Sequence, residues 1–60
     1  MADMITAFGW VTKLAAKNIT VDARETKSDS GVWGISENNG PLMLSTHDMP
    51  HRIRKVLAQP

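Results

Sequence analysis

Sixty residues with a formal net charge of +1, no cysteine and 42% hydrophobic side chains describe one small domain spanning residues 1–60. They exclude disulfide staples and thiolate metal sites, and the near-neutral balance excludes the strong overall field that marks many nucleic-acid-binding chains. A domain of this size buries only ~60% of the surface its unfolded chain exposes, so its core is marginal and a homodimer is the expected support.

Residues 4–17 show helical spacing. Met4, Ile5, Ala7, Phe8, Val11, Leu14 and Ala15 share one broad arc, with Thr6, Lys13 and Lys17 opposite. Asp3 is suited to cap the start and Asn18 to stop the end, while Gly9 weakens the interior. A strand over residues 4–11 competes, because Ile5, Thr6, Phe8, Trp10 and Val11 all tolerate extended backbone. The helix is preferred, since Leu14 to Lys17 continues its period.

The period then changes to two. Over residues 19–26, Ile19, Val21 and Ala23 alternate with Thr20, Asp22, Arg24 and Thr26, which predicts a strand with one buried and one wet face. The polar loop Lys27 to Gly31 returns the chain to a second strand over 32–36, in which Trp33 and Ile35 share a face. Glu37-Asn38-Asn39-Gly40 signals a tight turn, because Asn-Gly accepts positive φ, before a third strand over 41–45, placed at a sheet edge because Pro41 has no N–H to donate. Leu42 and Leu44 are expected to join Trp33 and Ile35 on the apolar side.

Asp48 is the expected cap of a last helix over 49–58, with Pro50 in its first turn. Met49, Ile53, Val56 and Leu57 fall on one side of it, and His51, Arg52, Arg54 and Lys55 on the other. The fold class read from this pattern is α+β. Its order is α-β-β-β-α, a three-stranded antiparallel meander packed against N- and C-terminal helices.

No stretch approaches the ~18 uninterrupted apolar residues of a membrane span, and no basic residue precedes the apolar-rich run from Met4 to Ala16. Cytoplasmic residence is the default expectation. Phe8 and Trp10 would insert into a membrane surface only with the weak anchoring of Lys13 and Lys17, and core packing explains the same arc better.

Three groups of residues bear on function. The run His51, Arg52, Arg54 and Lys55, extended by Lys13 and Lys17 if the helices are neighbours, suits phosphate contacts; the same cations also complement a helix C-terminus and keep a small domain soluble. Trp10 lies at the margin of the apolar arc, where an indole serves equally as a partner anchor or as core, and Trp33 reads as core. His47 and His51 have zinc-like spacing, but His47 precedes the helix and no further ligands accompany them, so no metal is expected.

Ser45, His47 and Asp48 lie too close together in one segment to align as nucleophile, base and orienting acid. The run Gly31 to Gly34 lacks the Gly-Lys that a phosphate loop requires. Sixty residues offer little concave volume for a substrate, so neither enzyme activity nor a cofactor is expected. The pattern and size suit a small accessory or regulatory protein, of the kind encoded by bacteria, phages or mobile elements, that binds another protein. The alternative is a nucleic-acid-binding regulator using the basic face of the last helix.

Overall fold

The computed structural model describes all of residues 1–60. In chain order it has α1 (Met4–Ala15), β1 (Asp22–Glu25), β2 (Trp33–Ser36), a 3-10 turn (Thr46–Asp48) and α2 (His51–Leu57). This is an α+β arrangement in which α1 lies on a two-stranded antiparallel sheet and α2 packs against α1, rather than both helices covering the sheet as expected. Neither helix is long and apolar enough to cross a membrane.

Local chemistry accounts for the limits of α1. Asp3 has extended backbone, and its carboxylate accepts a 2.8 Å hydrogen bond from the Thr6 amide, one of the donors a helix start leaves open. At the other end Asn18 takes a left-handed conformation (φ 63°), which lets the amides of Asn18 and Ile19 reach back to the carbonyls of Ala15 and Leu14. The helix therefore ends at Ala15, two residues short of the expected Lys17.

The β1–β2 hairpin pairs Ala23 with Ile35 and Glu25 with Trp33. Its loop is held by its own polar groups: the Thr26 hydroxyl bonds with the Asp29 backbone, and the Gly31 amide donates to Glu25 Oε2 at 2.7 Å. Both strands are shorter than the expected 19–26 and 32–36. The turn after β2 forms over Glu37 to Gly40 as expected, closed by the Gly40 amide on the Glu37 carbonyl, with positive φ on Asn38 and Asn39 rather than on Asn39 and Gly40.

No third strand forms over residues 41–45. Met43 alone pairs with Ile35, through reciprocal backbone bonds of 2.7 and 3.0 Å, and Ala2 pairs with Trp33 along the same edge of β2. With Met43 turned into the core beside Ile35, pleating sends Leu42 and Leu44 to the other face of the sheet. There they lie across Gly34, where a Cβ would come within 2.8 Å of Leu44 Cδ2 and 3.1 Å of Leu42 Cγ. The expectation that Leu42 and Leu44 face the helices is corrected accordingly.

Asp48 does not cap α2. Its carboxylate accepts from the amides of Leu44 and Ser45, both at 3.3 Å, and so stabilises the 3-10 turn. Met49 is extended (φ −94°, ψ 147°), as a residue before proline prefers, and α2 starts at His51 rather than residue 49. It ends at Leu57.

The core is a single cluster of Ala7, Leu14, Val21, Ile35, Met43, Met49 and Ile53, with Trp10, Val11, Ile19, Ala23, Trp33, Val56 and Leu57 packed around it. Each α-helix contributes few fully buried residues: Ala7 and Leu14 from α1, Ile53 from α2. The broad arc expected for α1 is only half covered. Met4, Ile5, Phe8 and Ala15 stay exposed because the narrow sheet and the seven-residue α2 roof only the Ala7–Leu14 side.

Candidate binding groove

The packing of α1 against α2 decides where the cations go. On α2 the buried side is centred on Ile53, so helical spacing sends Arg52 to one flank, Arg54 to the other, and His51 and Lys55 outward. On the first flank Arg52 forms a hydrogen-bonded ion pair with Glu37 of the turn after β2. That guanidinium holds the Glu37 carboxyl below its ordinary value of 4.5, and Glu37 in turn raises the guanidinium.

Lys13 is also committed within the chain. Its ammonium donates to the carbonyl oxygens of Leu57 and Gln59, at 3.1 and 2.8 Å, where α2 leaves acceptors unsatisfied and its dipole favours a cation. Lys17 lies beyond the end of α1 and borders a shallow hollow with Val56, Gln59 and Pro60. The helices are thus neighbours, but two of the six expected basic contacts, Lys13 and Arg52, hold the fold together.

On the second flank the structure brings Trp10 and Arg54 into one groove of about 420 Å³, completed by Thr46 and His47 of the 3-10 turn and by Leu57 and Ala58. The indole is half-buried and packs on the core with one side while it walls the groove. None of the lining residues is acidic, and the ion pair of the structure is between Arg52 and Glu37, leaving the Arg54 guanidinium without a carboxylate. The acids nearest in sequence are engaged elsewhere, Glu37 by Arg52 and Asp48 by the Leu44 and Ser45 amides. A flat apolar wall beside an unpaired guanidinium suits a ligand group that is both planar or apolar and anionic.

His47 and His51 stand on different elements, the 3-10 turn and the first turn of α2. No cluster of three histidine or acidic side chains is placed to hold a metal ion. Trp33 lies half-buried on β2, with its ring centroid 5.6 Å from that of Phe8 at a tilt of 46°.

Thr46, His47 and Leu57 are groove residues that periodicity does not reveal, since their meeting depends on how the 3-10 turn lies against α1. The exposed apolar flank of α1, with Met4, Ile5 and Phe8, is a second surface hidden from the sequence. Its one signal was the width of the apolar arc, which is greater than so small a sheet can roof. Compared with known proteins, the chain matches no family model, no curated protein and no solved structure.

Proposed function

We propose that this chain is a small accessory or regulatory protein, of the kind phages and mobile elements encode, that acts by binding another protein rather than by catalysis. One observation carries the reading: the Arg54 guanidinium lacks a carboxylate partner and stands beside the half-buried Trp10 indole in an open groove. Arginine and tryptophan are the residue types over-represented among binding hot spots, where a few anchors supply most of the affinity. The partner segment that fits carries a carboxylate for Arg54 next to an apolar or aromatic side chain for Trp10, Leu57 and Ala58. Capture from host lysate with the wild-type chain, Trp10→Ala, Arg54→Glu and Lys55→Glu tests it. The same protein is expected to be retained by wild type and Lys55→Glu and lost from the two groove variants; equal retention by all four overturns the groove as the contact.

A second reading, a nucleic-acid-binding regulator, is supported by Arg54, Lys55 and Lys17, none of which forms an ion pair with an acid of the chain. Phosphates would replace the missing carboxylates, with an affinity that falls steeply as salt rises. Retention on nucleic acid across a salt series separates the readings, and no retention at low salt removes this one.

A further inference from the structure

The N-terminal flank of α1 differs from the rest of the surface. Met1, Met4, Ile5 and Phe8 are 87%, 48%, 78% and 49% exposed, and none has a charged side chain. The two carboxylates beside them are satisfied within the chain, Asp3 by the Thr6 amide and Glu25 by the Gly31 amide. We propose that this flank is the interface of a homodimer, in which two copies pack around a two-fold axis near Ile5.

Three observations select a second copy as the occupant. The patch is self-complementary: Ile5 projects from α1, and next to it lies an open hollow of about 430 Å³ bounded by Asp3, Met4, Ile5, Glu25, Gly31 and Trp33. A two-fold interface uses the same patch on both chains, so projection and hollow must sit side by side on one surface, as they do here. The large side chains of the patch are apolar, and the carboxylates of Asp3 and Glu25 stand at the margin of the hollow.

The area is adequate. At about 200 Å² for a large side chain, the four exposed residues offer on the order of 500 Å² per copy, or ~1,000 Å² in total, the size at which specific interfaces begin.

The other routes to self-association are obstructed. One edge of β2 is paired with β1 and the other is occupied by Ala2 and Met43. The open edge belongs to β1, four residues long, with exposed Asp22, Arg24 and Glu25 that discourage strand addition. The two-fold contact lies well round α1 from the Trp10 groove and does not depend on what that groove binds.

Sedimentation velocity of the full chain from low micromolar to near-millimolar concentration tests the interface. Wild type is expected to show a monomer–dimer equilibrium, and Ile5→Lys to weaken it roughly tenfold or more. Ile5 is the most exposed residue of the patch within α1, so its substitution is expected to leave the far-UV circular dichroism and the melting profile intact. Ile5→Ser serves as a milder second variant, and Arg54→Glu is expected to leave dimerisation unchanged. A wild-type chain that stays monomeric throughout the range, or a dimer unaffected by both Ile5 substitutions, overturns the proposal.

Discussion

The Lys13 ammonium lies 2.8 Å from the carbonyl oxygen of Gln59, so a cation on α1 serves as the C-terminal cap of α2 across 46 residues of sequence. Its second bond, to Leu57, reaches the last residue of that helix. Lys13→Met keeps the aliphatic stem and removes the charge. It is expected to lower stability by about 1 kcal/mol, the usual scale for a cation at a helix C-terminus. Chemical denaturation reads the loss, and amide exchange is expected to quicken first at Val56 and Ala58.

Gly34 sits where β2 and the segment around Met43 come closest. A Cβ there would lie 2.5 Å from the Met43 carbonyl oxygen, which is backbone and cannot turn aside. Gly34→Ala is therefore expected to destabilise by at least the ~1–3 kcal/mol typical of overpacking. The damage should fall on the Ile35–Met43 bridge. Loss of amide protection at Met43, with the β1–β2 hairpin still protected, is the expected exchange pattern.

Ile53 is the one fully buried residue of α2. Truncating a buried isoleucine to alanine costs about 2–5 kcal/mol, comparable with the ~3–5 kcal/mol that a core this small supplies in total. Ile53→Ala is expected to be largely unfolded at room temperature by circular dichroism, whereas Ile53→Val retains the fold with a lower melting point.

Two carboxyls link stability to pH. The Thr6 amide and hydroxyl hold Asp3 below its ordinary value of 3.8, and the Arg52 guanidinium holds Glu37 below 4.5. Both shifts are downward, so the unfolded chain binds these protons more tightly than the folded one. Their contribution is complete above the unfolded values and is lost as pH falls through the depressed folded values. Denaturation midpoints are expected to hold from pH 7 to about 5 with respect to these groups and to decline below. Asp3→Asn and Glu37→Gln should each start lower at pH 7 and decline less steeply in acid.

The helical period around Leu14, the cap at Asp3 and the stop at Asn18 were all legible in the sequence, because each acts through bonds to residues a turn away. The alternation from Val21 to Ala23 likewise marked the first strand. The third strand was misjudged because its extent depends on partners distant in sequence: Met43 pairs with Ile35, but Leu42 and Leu44 are drawn across Gly34 instead of extending the ladder. The start of α2 was misplaced because the demand of Pro50 on Met49 outweighed the capping preference of Asp48. Of the site, the residue types at Trp10 and Arg54 pointed to a binding surface. Whether they met, and whether Lys13 and Arg52 were free or spent on the chain itself, depended on how the helices cross.

The far edge of β2 is closed by Ala2 at one position and Met43 at another, two segments that approach from opposite ends of the chain. Loop-closure entropy predicts an order of events in folding from this arrangement. The hairpin from Asp22 to Ser36 closes a short loop and forms readily, and Met43 then needs only the turn at Asn38 and Asn39 to reach Ile35. The bridge from Ala2 to Trp33 requires α1 to have docked over an intervening stretch of 30 residues, so loop-closure entropy makes it a late contact. Substitutions at Ala2 are therefore expected to speed unfolding more than they slow folding, as read from the two arms of a chevron plot.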